Sequence, residues 1–257
     1  MPRSIQPART ALLLCLAWLC TAARADGPAE LRAALQRLQG QAPLKAAITA
    51  RTQHRQGEGS EAEETQGLAS LLVDDGPQGL RVQYAQDTLA RVRAEDAAKD
   101  TDASARAPTV AALNALGYRE IRELTSAAES LGRQLARATF KAEYADTWAG
   151  RPARRLNFEL GLGKLPPQQQ KYVRSHEGTL DVWIAADGTP LASRSNLTVA
   201  GRALVVISFE QRRGEEVTYA VLGDRLVATR KDTRQSGTGG GESGADHIEL
   251  TLAATGS

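Results

Sequence analysis

The chain has 257 residues, 42% apolar and 24% charged, which is the composition of an ordinary globular protein and excludes collagen-like, coiled-coil and wholly disordered readings. Its small positive charge sits in the first 25 residues. That segment carries three arginines and no acid, so without it the balance moves from 32 basic against 30 acidic residues to 29 against 30, and no charge-driven attraction to nucleic acid or an anionic membrane follows.

The segment reads as a cleavable secretory signal. Arg3 and Arg9 precede the apolar stretch Ala11–Cys20, and Ala23-Arg24-Ala25 supplies the small-x-small pattern for cleavage after Ala25. The apolar stretch is about ten residues, short of the roughly 20 needed to cross a bilayer as a helix. Neither Cys15 nor Cys20 follows the leucine-small-small pattern of a lipid-modified cysteine. Both leave with the signal, so the mature chain is expected to hold no disulfide, no thiolate and no cysteine-bound metal. Arg outnumbers Lys by 26 to 6, a bias of GC-rich bacterial genomes, and the expected location is the periplasm. The remaining 232 residues form one domain, long enough to bury roughly 70–75% of the unfolded surface without a staple.

In chain order, Asp26-Gly27-Pro28 followed by Leu31, Leu35 and Leu38 predicts a short amphipathic helix ending before Gly40. Lys45–His54 alternates with period two and predicts a strand, and Gln56–Gln66 an exposed acidic loop. Leu68–Val73 and Leu80–Tyr84 form a hairpin about Asp74-Asp75-Gly76-Pro77. Helices are expected over Thr88–Ala98 and Pro108–Leu116. A long one follows over Arg119–Ala138, where Ile121, Leu124, Ala128, Leu131 and Leu135 recur at steps of three and four.

From Phe140 the period becomes two. Strands are predicted at Phe140–Ala145, Ala153–Leu160, Thr179–Ala185, Leu191–Val199, Ala203–Phe209, Val217–Leu222, Arg225–Arg230 and Ile248–Leu252. The hairpin connections are Ala186-Asp187-Gly188, Ala200-Gly201-Arg202, Arg213-Gly214-Glu215 and Gly223-Asp224, with a long loop at Gly161–His176 and a flexible one at Ser236–Gly244. Such short connections specify an antiparallel meander and reject parallel α/β folds. Ala203–Phe209 is apolar on both faces and is expected at the sheet centre. The predicted class is α+β: a strongly curved antiparallel sheet of about ten strands, half-barrel-like, with the long helix packed on one face.

The residues assemble no recognisable catalytic set. His54, His176 and His247 are scattered without zinc spacing. Ser243 lacks the glycine, strand and helix of a nucleophile elbow, since Ala245 stands two residues after it. Gly239, Gly241 and Gly244 match a dinucleotide pattern without the helix that gives it meaning. Glu61, Glu63 and Glu64 read as a solvated acidic loop, the clustered Arg151, Arg154 and Arg155 as edge charges, and Trp183 as a half-buried packing aromatic. The expectation is a non-enzymatic protein with no metal and no cofactor.

The helix with its Leu31/Leu35/Leu38 stripe, the antiparallel strands, the central helices and the long hairpin meander together resemble the periplasmic half-barrel group. That group includes the outer-membrane lipoprotein carriers of the Lol type and the lipoprotein-sensing regulator of envelope stress. The stretches Leu180-Asp181-Val182-Trp183 through Asp187-Gly188-Thr189-Pro190, and Gly223-Asp224-Arg225-Leu226, are similar to uncharacterised secreted proteobacterial proteins. The carrier resemblance implies a concave apolar face that binds acyl chains. Here it would be lined by Val, Ile, Leu and Ala, because aromatics make up only 4% and the sole methionine is Met1. The candidate ligand-binding residues are Phe158, Val182, Ile184, Val205, Ile207 and Phe209. The alternative is an envelope interaction or scaffold protein that holds no small molecule and meets a partner through a sheet edge or the acidic loop.

Overall fold

The computed structural model describes residues 26–57, 59, 62–161, 172–203 and 207–255. The signal segment, Val205 and most of the Gly161–His176 loop therefore lie outside the described residues. The chain runs α1 (Gly27–Arg37), β1 (Leu44–Gln56), β2 (Glu63–Gly76), β3 (Gly79–Tyr84), α2 (Gln86–Thr101), α3 (Pro108–Asn114), α4 (Tyr118–Thr125), α5 (Ala127–Leu135), β4 (Ala138–Trp148), β5 (Arg151–Leu160), β6 (Val173–Ile184), β7 (Pro190–Ala203), β8 (Ile207–Leu222), β9 (Arg225–Gly239) and β10 (Glu242–Ala254). The ten strands form one antiparallel sheet in the order β3-β2-β1-β10-β9-β8-β7-β6-β5-β4. The meander is therefore continuous from β4 to β10, and β10 closes back on β1 from Ala46↔Ala254 to Gln56↔Gly244. Its two end strands, β3 and β4, do not pair with each other, so the sheet stays open.

Local chemistry explains the elements. Asp26 caps α1, its carboxylate accepting the amide of Ala29 at 3.2 Å, with Pro28 in the first turn. In β1 the residues Leu44, Ala46, Ile48 and Ala50 are buried while their neighbours are not. Ala69, Leu71 and Val73 of β2 join them on the same face by register. Leu31 and Leu35 of α1, Ala112 of α3, Ile121 and Leu124 of α4 and Leu131 of α5 bury the helical stripes in the same cluster as these strand residues. The opposite face of the sheet carries a charged ladder. Arg194 bonds Glu216 at 2.6 Å, and Arg230 bonds Glu249 at 2.7 Å and Asp232 at 3.1 Å. Beside the ladder is a small aromatic cluster in which Trp183 packs on Trp148 with centroids 4.9 Å apart.

Several expectations change. The single long helix is two, α4 and α5, broken at Ser126 with φ −138° and ψ 58°. Thr125 and Ser126 are residues whose hydroxyls compete with helical hydrogen bonds, and two short rods follow a twisted sheet where one straight rod of roughly 30 Å would lift away. Ala203–Phe209 is not a central strand. β7 ends and β8 begins in the pair Ala203↔Ile207, and residues 204–206 lie outside the described residues.

Two expected turns, at Gly201 and Gly214, are strand interiors paired with Phe209 and Asn196. Gly201 is there for space: a Cβ would fall 2.6 Å from Cζ of Phe209, whose ring lies over it. The Ser236–Gly244 strip is ordered strand on both sides of a two-residue turn, Gly240-Gly241, whose φ of +64° and +86° only glycine adopts cheaply. Of the expected Gln56–Gln66 loop, Gln56 and Glu63–Gln66 are strand, with Gln56 opposite Glu63, while Glu58, Ser60 and Glu61 lie outside the described residues.

Candidate functional site

The helices cover only one end of the sheet's inner face. Register places Ala50, Leu250, Lys231, Val217, Ser193 and Val182 in one cross-strand row, every member buried. Four residues further along each strand on the same face lies the row His54, Asp246, Gln235, Arg213, Leu197 and Gly178. There the pattern of β9 turns from buried at Arg225–Ala228, Lys231 and Thr233 to exposed at Arg234, Gln235 and Ser236.

This uncovered end has two characters. Toward β1 it is polar: Asp246 accepts from His54 Nδ1 at 2.6 Å and from Gln235 Nε2 at 2.8 Å. Burial pushes the Asp246 carboxyl up, and these two bonds with the His54 ring bring it below the usual carboxylate range. Toward β5–β8 it is apolar. Leu160, Leu197, Val199 and Phe209 are half-buried, and Phe140 is 40% exposed with its ring edge-to-face on Phe158 at 5.6 Å. Between Leu160 and Leu197 the inner position is Gly178, and beyond Gln211 it is Gly237 opposite Gly244. A hollow of about 410 Å³ opens over Gly237 and Gly244, lined by Leu197 and Val199 on one side and by Gln211, Arg213, Gln235 and Asp246 on the other.

The residues named from the sequence divide between the two ends. Val182 and Ile184 have no solvent exposure and lie in the core under the helices. Phe158, 3% exposed, lies at the boundary, below Phe140. Phe209 is on the uncovered end, Ile207 is the first residue of β8, its side chain outside the described residues, and Val205 lies outside them altogether. The structure thus keeps Phe158 in one core cluster with Val182 and Ile184 and leaves Phe209 apart from them at the uncovered end.

Sequence reasoning missed two charged contacts between sheet and helix, made by consecutive residues of α4. Arg122 donates to Oδ2 of Asp75 at 3.1 Å, and the 4% exposed Arg225 donates to the same oxygen at 2.7 Å. Glu123 receives Lys231, which is also 3.4 Å from Glu215, and accepts from Arg119 Nε at 3.1 Å. Burial alone would raise the Glu123 carboxyl, but Lys231 and Arg119 outweigh it and hold the group below its ordinary value. Alongside, Tyr219 bonds Ser193 at 2.7 Å, and burial pushes its phenol up. Such pairs contribute little net stability compared with apolar packing but fix where a helix sits.

On the outer face, Trp183 Nε1 donates to Asp146 at 2.9 Å, so the indole is anchored, with the Arg194 guanidinium 5.5 Å over its ring. The backbone amide of Thr147 and then the Trp183 bond hold the Asp146 carboxyl below its usual range. Among the described residues no three His, Cys, Asp or Glu side chains converge as a metal site would need, and no helix is long and apolar enough to cross a membrane. No protein-family model, no curated protein and no solved structure matches the chain.

Proposed function

We propose that this is a non-enzymatic, exported binding protein that seats an acyl or lipoprotein-like apolar ligand on the uncovered end of its sheet. One observation carries the reading: among the described residues Leu197, Val199 and Phe209 form a stretch of half-buried apolar inner face that no helix covers, with Leu160 at the edge of the core and Phe140 exposed. The helices occupy the rest, so the ligand contacts are Leu197, Val199 and Phe209, while Phe158, Val182 and Ile184 belong to the core behind them. Bending of the sheet into a half-barrel trough fits the bare inner positions Gly178, Gly237, Gly239 and Gly244, where strands can curve or a ligand can approach backbone. In this reading the mature protein begins at Asp26 and works in the periplasm.

Fluorescent fatty acid titrated into mature protein should bind saturably, and native mass spectrometry of protein from the periplasm should carry a lipid mass. Leu197→Asp should remove both signals while leaving the unfolding midpoint within about 1 °C, because the position is half solvated. An apo spectrum with no dye uptake sinks the proposal, as does a cytoplasmic location with the first 25 residues retained.

A second reading, an envelope interaction module without a small ligand, draws on the free edge. β4 ends the sheet and exposes Phe140 at 40% and Tyr144 at 48%. The other edge is guarded: beyond β3, the β2 backbone is met by Arg106, which donates to the Glu64 carbonyl at 3.0 Å, and by Thr88, bonded to Ser70. Among the described residues no strand pairs with the outer edge of β4, and such an edge suits an added strand from a partner. Ala142→Pro, which blocks that edge, should then release partners cross-linked in the periplasm; an unchanged captured set removes this reading.

A further inference from the structure

At the covered end of the sheet, away from the apolar strip, four chain segments enclose a cavity of about 470 Å³. Leu38–Gln41 leaves α1 along one side, the β2–β3 turn from Asp75 to Leu80 forms another, and the α4–α5 junction and Arg225 complete it. Its chemistry is unbalanced. Asp75, at the buried end of the Leu71/Val73 alternation, offers one carboxylate oxygen to two guanidinium groups, Arg122 and Arg225. Two cations on one anion leave a surplus positive charge at a site where Arg225 is only 4% exposed.

Among the described residues no other carboxylate lies within ion-pair distance of Arg122 or Arg225. Glu129 is bonded to Arg133 at 2.5 Å, and Asp224 turns its carboxylate toward Gly40 and the amide of Ala42, at 3.0 Å, rather than toward either guanidinium. Arg225 carries a further sign of an absent partner: its Nε is buried and makes no hydrogen bond. An unpaired buried donor on a charged group costs about 1–3 kcal/mol or more, so it calls for a reason. The same cavity receives the start of α5, a nine-residue helix whose N-cap Ser126 makes no side-chain capping bond. Ser126 is also the C-cap of α4, its amide bonded to the Arg122 carbonyl, so the two helix ends meet beside the cavity.

We infer that this cavity is a binding site for a small oxyanion, the carboxylate or phosphate group of an organic molecule, held by Arg122 and Arg225 beside the start of α5. Leu38, Pro77, Leu80 and Ala128 supply an apolar wall for the rest of such a ligand. The Asp75 carboxylate stays as the orienting group that keeps both guanidiniums in place. The site does not depend on the apolar strip, so either reading stands or falls without the other.

The test is calorimetric titration and thermal unfolding of the mature protein with inorganic phosphate and, separately, with butyrate, each against sodium chloride at matched ionic strength. Saturable binding of at least one probe, with a higher unfolding midpoint, is expected; whichever probe binds tenfold more tightly identifies the source as phosphate or carboxylate. Arg122→Gln, which keeps the buried Arg225–Asp75 pair, should weaken binding at least tenfold. Ser126→Asp places an anion at the helix start. It should raise the midpoint without ligand and abolish the response to both probes. The inference is overturned if neither probe exceeds the sodium chloride control, or if both variants respond as the parent does.

Discussion

The two ends of one sheet obey different rules. Under the helices, β9 buries Leu226, Val227 and Ala228, then Lys231 and Thr233. A few residues on, from Arg234, the same strand is exposed at most positions and its composition turns to Gln, Ser, Thr and Gly. Backbone pairing is continuous across the change, with β8 opposite β9 from Leu222↔Arg225 to Phe209↔Gly239. Hydrogen bonding therefore sets how far the strands reach, and helix cover sets how far the core reaches. A sheet end without a second layer has little apolar area to bury, and its stability is borrowed from strands anchored in the core.

The widest gap between the ends should come from truncating one core residue and one strip residue. Leu250→Ala, under the helices at 2% exposure, should cost about 3 kcal/mol, whereas Val199→Ala on the uncovered end should cost less than about 1 kcal/mol. Urea unfolding measures both, and equal losses would mean the uncovered end has cover after all.

Next in size is the charged contact that holds α4. Glu123→Gln leaves Lys231 with Glu215 alone and should cost about 2 kcal/mol near neutral pH. Because the Glu123 carboxyl is depressed in the folded protein, its contribution is present above the ordinary glutamate value of about 4.3 and is lost as pH falls through the lower folded value. The gap between variant and parent in unfolding midpoint should therefore close below about pH 4. A gap that persists there would place the effect in packing.

Hydrogen exchange sharpens the contrast without mutation. Amides of Leu226–Thr233 should exchange only on global unfolding, while those of Gln235–Gly239 should open locally and at least about 100-fold faster. The smallest effect is expected at the β4–β5 turn, where Ala149 has φ +49°; Ala149→Gly removes the left-handed penalty and should stabilise by about 1 kcal/mol. No gain in thermal midpoint would show that the turn is not strained.

Particular residues show why parts of this architecture were legible and others were not. The β2–β3 hairpin, the stripe of α1 and the period of β1 are local signals, and the structure keeps all three, with the turn itself at Pro77–Gln78 and Asp74–Gly76 drawn into the strand. Lys231 is different. Counting by twos from Leu226 and Ala228 puts Arg230 inside and Lys231 outside, but a bulge between Thr218↔Arg230 and Tyr219↔Ala228 inserts Thr229 and reverses the faces. The buried lysine was invisible because the parity change has no marker in composition. Asp75 was hidden differently: in sequence it is a turn residue, and only Arg122 and Arg225, 47 and 150 positions away, make it the anchor of a buried cluster.

The glycines misled in the same way. Gly201 and Gly214 signal turns when read alone, yet pairing with Phe209 and Asn196 makes them strand residues, since what decides is the neighbour across the ladder. Phe209 itself stands near the start of a central strand, β8, at the end of the sheet that the helices leave uncovered.

The sequence by itself determined an antiparallel α+β chain with one apolar face, because side-chain alternation and short connections act over a few residues and need no distant partner. Tertiary structure alone decided how much of that face the helices seal, where the helix breaks at Ser126, and which charges meet beneath it. Those outcomes depend on register and bulges, through which a single extra residue turns the rest of a strand over.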